Sequence, residues 1–328
     1  MFFAPQSIIN FINISVEVQT VRDKLSVLEE YFGHDSFREG QDRITDSLLG
    51  GHDVLGIMPT GAGKSICYQV PALMFDGITI VVSPLISLMK DQVSALVQSG
   101  VAAAYINSSL THAQYLKVLQ NTESGKYKII YVAPERLCAP AFLGICRNLN
   151  ISMVAVDEAH CVSQWGQDFR PSYLKIPDFI DALNSRPVVG AFTATATGDV
   201  RDDIKTLLRL VSPLVVTTGF DRPNLFFSVM QPKNKSIELM KLIKERKNES
   251  GIVYCSTRKA VEEVCELLQK NGFAATRYHA GLDENERRRN QDDFVYDRAA
   301  IMVATNAFGM GIDKSNVRFV IHYNMPKD

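Results

Sequence analysis

Residues 54–65 read VLGIMPTGAGKS, an apolar run followed by a glycine-bearing turn and then an amphipathic stretch that opens SICYQV. A strand ending in such a turn can direct several backbone N–H groups at one point, which is how a phosphate is held. Thr60, Gly61 and Gly63 form the turn, Lys64 can reach the β- and γ-phosphates of a nucleotide, and the Ser65 hydroxyl can ligate Mg2+. The strict pattern starts with glycine six residues before the lysine, where this chain has Met58. A plain surface turn accounts for neither Lys64 nor Ser65.

Outward from this stretch, short β-branched runs alternate with helix-length segments: ITIVVS at 78–83, KIIYVA at 128–133, SMVAVD at 152–157 and VVGAFT at 188–193. The rhythm restarts with GIVYC at 251–255, ATRYH at 275–279, AIMVAT at 300–305 and VRFVIH at 317–322. Strands this apolar, separated by helices, predict buried parallel sheets covered on both faces, hence an α/β fold in two units. In the second unit Val261, Val264, Leu267 and Leu268 fall on one helix face. TTGFDRPNL at 217–225, punctuated by Gly219 and Pro223, separates the units, and a helix pattern resumes near Lys235. The expected organisation is an extension over 1–21, a first unit over 22–218 and a second over 219–328. The units share a rhythm of elements and no repeated letters, which excludes an array of short repeats.

With 328 residues, 46% of them hydrophobic, the chain can fill two cores, and disordered or fibrous classes are excluded. Thirty-five basic residues against 36 acidic ones confine any nucleic-acid surface to a local patch. The six cysteines form no CxxC pair and have no histidine at zinc-finger spacing, so neither a structural zinc nor a disulfide scaffold is expected, and a reducing, cytosolic setting is. The apolar stretch FFAPQSIINFINI at 2–14 is interrupted by Pro5, Gln6, Asn10 and Asn13 and follows no positive residue. It reads as a peripheral extension or docking strand, against a signal peptide or membrane span.

A second requirement for nucleotide hydrolysis is a carboxylate at the end of a neighbouring strand, and MVAVDEAH at 153–160 supplies it. Asp157 would hold Mg2+, directly or through water, and Glu158 would orient and deprotonate the attacking water. Taken alone, the acids could instead mark a solvated helix N-terminus. His160 has no second ligand at metal spacing, so an interdomain hydrogen bond is expected of it. In FGHDSFREGQ at 32–41, Gln41 could pair with the adenine edge and Arg38 could stack on its ring, or both could cap and solvate a helix.

Trp165 and Phe169 follow the acidic stretch, with Gln164 and Arg170 beside them. They read either as an aromatic platform for bases, with the arginine on phosphate, or as core packing. Ser83, Lys90, Pro134, Arg136 and Thr193 lie in or just after strand ends, where an open α/β sheet places its ligand crevice, although Lys90 and Arg136 also read as solvated surface charges. Gly309, Gly311 and Asp313 follow AIMVAT and suit either close approach of a ligand or opposing domain, with Asp313 on a ribose hydroxyl, or a structural turn.

These stretches resemble the motifs of the superfamily 2 helicases, and specifically the RecQ family of DNA helicases, over about residues 25 to 328. FREGQ at 37–41 resembles the adenine-reading motif, MPTGAGKS at 58–65 the phosphate loop, and SPLISLMKDQV at 83–93 and APERL at 133–137 strand-contact motifs. DEAHCVSQWGQDFRP at 157–171 resembles the Mg2+ motif joined to the aromatic-rich loop of that family, and FTATA at 192–196, with Thr193 and Thr195, the motif that couples nucleotide state to closure. YCSTR at 254–258, with Ser256 and Arg258, YHAGL at 278–282, with His279, ATNAFGMGIDK at 304–314 and HYNMPK at 322–327 match in the second unit.

The resemblance implies two tandem RecA-like P-loop domains that use ATP and Mg2+ to move 3' to 5' along single-stranded DNA, or from a single-strand/duplex junction, and to unwind it. It also implies a role in DNA repair and recombination and a cytoplasmic location, nucleoid-associated in a bacterium. His34 stands where the family usually has an aromatic residue at the adenine site, and Gln167 where it usually has histidine. The family's next motif, which bears an arginine finger, would start beyond Asp328, Arg318 falls within an apparent strand, and the zinc-binding and winged-helix region has no match. Retained ATP and single-strand affinity with severely weakened turnover is therefore expected of these 328 residues. The alternatives are an RNA helicase, a duplex translocase, or a nucleotide-dependent nucleic-acid-binding protein with little turnover; a metabolic P-loop kinase leaves YHAGL and GMGIDK unexplained.

Overall fold

The computed structural model describes residues 23–166, 168–219, 224–309 and 314–325. The N-terminal extension, Gln167, Pro223, Gly311 and Asp313 lie outside the described residues. The first sheet has seven strands: β1 (Val54–Ile57), β2 (Ile78–Val82), β3 (Ala103–Ile106), β4 (Ile129–Val132), β5 (Ile151–Val156), β6 (Val188–Thr193) and β7 (Leu214–Thr217). Their order is β3-β4-β2-β5-β6-β1-β7, and every pair is parallel. Parallel neighbours require crossovers, and helices supply them on both faces. Every residue of β1, β2, β4 and β6 is buried, which is why these strands are continuous apolar runs and not alternating ones.

The side-chain alternation of the strands divides the core in two. Leu55, Ile57, Ile80, Val82, Val154 and Val156 pack with Phe142, Tyr173 and Phe179 on one face, where the Phe142 and Phe179 rings stack 6.2 Å apart. Val54, Met58, Val81, Met153, Ala155 and Phe192 pack with Ile44, Leu48 and Tyr68 on the other. At the N-terminal edge of the sheet the buried Asp53 carboxylate accepts Arg186 Nη1 and Nη2 at 3.1 and 2.5 Å and the N–H groups of Val189 and Val211 at 2.9 and 2.7 Å. This clamp joins the segments leading into β1, β6 and β7.

The second sheet contains β8 (Ser250–Tyr254), β9 (Ala275–Tyr278), β10 (Ile301–Ala304) and β11 (Val317–His322), in the parallel order β11-β8-β10-β9. The helix Arg258–Lys270 buries Val261, Val264, Cys265 and Leu268 against it. Cys265 thus belongs to the predicted face, and Leu267 is only half-buried. Strands β3 and β7 escape the sequence reading. Both are four-residue edge strands; AAYI is half alanine, which carries little strand signal, and LVVT follows closely on the apolar pattern of the helix Gly198–Leu207. Among the described residues, no helix is long and apolar enough to cross a membrane.

The sheet order determines what can meet. Because β2, β5, β6 and β1 are consecutive neighbours, Ile57 lies opposite Thr193 and Val82 opposite Val156, so the segments that follow these four strands emerge side by side at one edge.

Candidate active site

The turn after β1 leads into the helix Lys64–Met74, with Gly63 as its N-cap at φ 80°. Gly61, at φ 83°, is likewise left-handed, a conformation that costs glycine little. A Cβ on Gly63 would lie 2.4 Å from Gln41 Nε2, so the glycine also permits a close contact. Gln41 is buried: its Nε2 donates to the carbonyls of Ala62 and Gly63 at 3.1 and 3.0 Å, and its Oε1 accepts the Arg38 N–H at 2.8 Å. Arg38 Nη1 donates to the Gly61 carbonyl at 2.7 Å. Both side chains therefore brace the phosphate loop, a role that neither adenine pairing nor helix solvation had suggested. Lys64 Nζ donates to the Met58 carbonyl at 3.3 Å, so the residue replacing the motif's first glycine provides an anchor for the lysine.

Asp157 directly follows β5 and is buried; its N–H donates to Val82 O at 2.9 Å, and Tyr173 donates its hydroxyl to the Asp157 carbonyl at 2.9 Å. Burial raises its carboxyl to about 7, Glu158 adds to the rise, and the Lys64 ammonium opposes it. Glu158 adopts φ 47°, uncommon for a residue with a side chain, and its N–H donates to Asp157 Oδ1 at 3.0 Å. The Glu158 carboxylate lies 3.3 Å from His160 Nδ1, which is 3.0 Å from Thr193 Oγ1. Thr193 in turn donates to the Thr195 carbonyl at 3.0 Å. With the threonine proton so committed, its oxygen accepts and His160 Nδ1 donates, a tautomer assigned from the partners. The expected interdomain bond of His160 is corrected: its partner is on β6, in the same unit, because β5 and β6 are sheet neighbours.

The residues present fit Mg2+. A buried carboxylate beside Lys64, with the Ser65 hydroxyl on the first turn of the next helix, is an all-oxygen donor set for a hard cation. Among the described residues no group of three or more His, Cys, Asp and Glu could cage a metal, and Mg2+ needs none, since it keeps waters and binds substrate phosphates.

Past His160 the chain turns into the aromatic loop. Trp165 is 79% exposed and Phe169 half-buried, so core packing does not describe Trp165. Gln164 is exposed as well. A Cβ on Gly166 would lie 2.3 Å from the His160 carbonyl, which explains the glycine. Arg170 donates through Nη1 to the Pro84 carbonyl at 2.9 Å and through Nε and Nη2 to Asp168 at 2.9 and 2.7 Å. Its guanidinium thus ties the loop to the segment after β2 and does not stand free for a phosphate.

Ser83 follows β2 with its buried Oγ lacking a hydrogen-bond partner, and Pro134 opens a short 3-10 turn, Pro134–Arg136, after β4, where Arg136 is half-buried. Lys90 is exposed within the helix Ile86–Gln98 and is not at a strand end. In the second unit the Ser256 N–H donates to Asn324 Oδ1 at 3.2 Å, and Arg258 is exposed at the start of its helix. His279 is 5% exposed; its Nδ1 accepts the Gly281 N–H at 3.1 Å and its Nε2 donates to Glu262 Oε1 at 2.7 Å. Glu262 Oε2 also pairs with Arg277 Nη1 at 2.9 Å, and Arg277 Nη2 with Glu286 at 3.1 Å. Sequence reasoning missed Glu262, because a contact from a helix to the following strand has no fixed spacing along the chain.

The DEAD/DEAH box helicase family matches residues 38–204, just over half of the chain, and the helicase conserved C-terminal domain matches 234–328. The chain is 48% identical over 307 residues to the ATP-dependent DNA helicase RecQ of Bacillus subtilis, covering 92% of this chain and 51% of that protein. It is 44% identical over 311 residues to the RecQ of Pasteurella multocida, covering 95% and 49%. The chain thus spans about half the length of these bacterial relatives. Among solved structures, S. cerevisiae Dbp5 bound to RNA and ADP BeF3 superposes with a TM-score of 0.72 at 19% identity, over 94% of this chain and 81% of that one. The helicase MrfA bound to DNA superposes with a TM-score of 0.71 at 18% identity, over 94% and 45%. These likenesses establish the fold, two RecA-like units built on mostly parallel sheets.

Proposed function

Because the chain belongs to the DEAD/DEAH-box helicases, in their RecQ family, we propose that it is the motor core of an ATP-dependent DNA helicase. The observation that carries this reading is the convergence of Lys64, Asp157, Glu158, His160 and Thr193 on adjacent strand ends, with Glu158 tied through His160 to β6. In this reading Lys64 and the loop N–H groups of residues 60–65 hold the ATP phosphates, and Glu158 takes a proton from the attacking water. Mg2+, held by Ser65 and Asp157, would neutralise charge on the phosphoryl oxygens. Arg38 and Gln41 fix the loop and serve the adenine end, and Gly311 and Asp313 serve the nucleotide from the second unit.

Lys90, Arg136, Gln164, Trp165, Phe169, Ser256 and Arg258 take the DNA strand, the buried Ser83, Pro134 and His279 shape the segments that carry these contacts, and Arg170, His160, Thr193 and Thr195 relay the strand's presence to the carboxylates. The units are residues 22–218 and 219–328. The partner is single-stranded DNA or a single-strand/duplex junction, and movement is 3' to 5'. Turnover by these 328 residues alone is slow, since none of the residues assigned above is an arginine placed on the γ-phosphate.

The test is ATP hydrolysis with no nucleic acid, with single-stranded DNA, with matched RNA and with duplex, alongside Lys64→Ala. Hydrolysis that DNA stimulates and Lys64→Ala abolishes supports the reading. Stimulation by RNA above DNA, or by duplex with no strand separation, overturns it. Robust hydrolysis and unwinding would refute slow turnover alone.

A further inference from the structure

The loop that carries Trp165 is held by a residue outside every motif. Ser163, fully buried, donates its hydroxyl proton to Asp203 Oδ2 at 2.6 Å, and the same oxygen accepts the Trp165 N–H at 3.1 Å. A separation of 2.6 Å lies in the short range of hydrogen bonds to an ionised acceptor. A hydroxyl has one proton, so commitment to the carboxylate turns an oxygen lone pair toward Trp165. Trp165 is 79% exposed, so packing does little to set its aim and this backbone contact remains. Asp203 belongs to the helix Gly198–Leu207, capped by the Thr197 hydroxyl, which accepts the Val200 N–H at 3.4 Å. That helix leaves β6 through Thr193 and Thr195, the pair that meets His160. The base platform and the catalytic carboxylate are therefore both tied to residues 193–203.

We propose that Asp203 is a positioning residue, which sets the orientation of the Trp165 loop for a base of single-stranded DNA and couples that loop to the segment after β6. The proposal rests on the platform reading above. Nothing in the linear sequence marks Asp203, which is separated from Ser163 by 40 residues and meets it only because the turn after β5 packs on the helix after β6.

Trp165 is the only tryptophan in the chain, so fluorescence excited at the red edge, where the eleven tyrosines do not absorb, reports this loop alone. The experiment compares the full chain with Asp203→Ala, Asp203→Asn, Ser163→Ala and the Ser163→Ala/Asp203→Ala pair. Fluorescence anisotropy and acrylamide quenching are measured without DNA, and a single-stranded oligonucleotide is then titrated in. Asp203→Ala should lower the Trp165 anisotropy and raise the half-saturating oligonucleotide concentration about tenfold, in keeping with loss of a bond to a charged acceptor. Asp203→Asn, which keeps an acceptor oxygen, should recover part of both, and the double variant should be no worse than Ser163→Ala. Nucleotide affinity should hold in all four variants, and the double variant, which leaves no buried hydroxyl without an acceptor, should melt above Asp203→Ala while binding DNA no better than Ser163→Ala, which separates positioning from general destabilisation. Unchanged anisotropy and DNA affinity in Asp203→Ala would overturn the proposal. If the parent chain fails to bind the oligonucleotide, the platform reading falls and the role toward DNA falls with it, whereas the DNA-free anisotropy still decides whether Asp203 holds the loop.

Discussion

His160 Nδ1 stands 3.0 Å from the Thr193 hydroxyl and 3.3 Å from the Glu158 carboxylate, so one ring nitrogen bridges the turn after β5 and the end of β6. Glu158, in a left-handed backbone conformation, owes its side-chain direction partly to that bridge. His160→Ala should leave nucleotide affinity within about twofold while lowering DNA-stimulated turnover by about tenfold to a hundredfold, since Glu158, the proposed base, loses its positioning partner while the proposed phosphate contacts are kept. Steady-state hydrolysis set beside nucleotide titration separates the two effects. Equal losses in both would mean that His160 supports the phosphate loop instead.

Asp157 allows a stability prediction. Burial raises its carboxyl from 3.8 to about 7, so between those values the folded state binds a proton that the unfolded state has released. This contribution is fully present below about pH 4 and disappears as pH rises through about 7, with Mg2+ chelated throughout. Asp157→Asn removes the buried charge and should stabilise the chelated protein above that window by about 1–3 kcal/mol, with no gain below it and no hydrolysis at any pH. Thermal melts in chelator from about pH 4 to about pH 8 would check the direction, with the gain growing through the window. An Asp157→Asn variant that melts lower at pH 8 would contradict it.

What the sequence reveals and what it hides divide along a physical line. Lys64 with Ser65, and Asp157 with Glu158, are neighbours in the chain, so their chemistry is legible as spacing, and central strands such as VVGAFT are legible because burial on both faces demands unbroken apolar runs. Gln41 against Gly63, His160 against Thr193 and Ser163 against Asp203 are tertiary contacts set by the order β2-β5-β6-β1 and its packed helices, which no periodicity encodes. Hence Gln41 reads in the sequence as an adenine partner or a helix cap and stands in the structure as a brace on the turn before Lys64, and His160 reads as a hydrogen-bonding residue but with the wrong partner.

Glu262 joins His279 to Arg277, and thereby the start of the helix Arg258–Lys270 to the end of β9. His279 Nδ1 shapes the following turn by accepting the Gly281 N–H. Glu262→Ala leaves a nearly buried imidazole without its acceptor and should cost about 1–3 kcal/mol of stability in the second unit. DNA affinity should fall as well, and by more than nucleotide affinity, since the proposed phosphate contacts of Lys64 and its loop lie in the first unit. Denaturant melts and oligonucleotide binding would check this, and Glu262→Gln should restore most of the stability.

Burial pushes the Cys67, Cys146 and Cys161 thiols up to about 12 and those of Cys255 and Cys265 up to about 11, whereas Cys138 is exposed. The thiolate is the reactive form, so alkylation at pH 8 should label Cys138 well ahead of the other five. Peptide mapping after brief iodoacetamide treatment reads this directly, and Cys138→Ser should remove the fast phase. Rapid labelling of Cys161 would instead mean that the turn after β5 opens on the timescale of the reaction.

Trp165 combines high exposure with a backbone N–H held by Ser163, the combination expected of a stacking surface and unfavourable for a residue with no partner, because a tryptophan 79% exposed gains little from folding. Stacking of a base on an aromatic ring is worth about 1–3 kcal/mol, so Trp165→Ala should weaken single-stranded DNA binding by roughly tenfold to a hundredfold. The melting temperature should stay within about 1 °C, since almost no buried area is lost. Stacking tolerates every base, so the loss should be similar on poly-dT and mixed-sequence oligonucleotides, while duplex affinity, which rests on phosphate contacts, should change less. Fluorescence-polarisation titrations with the three DNAs make the comparison, and an equal loss on duplex would place Trp165 on the backbone path and not against a base.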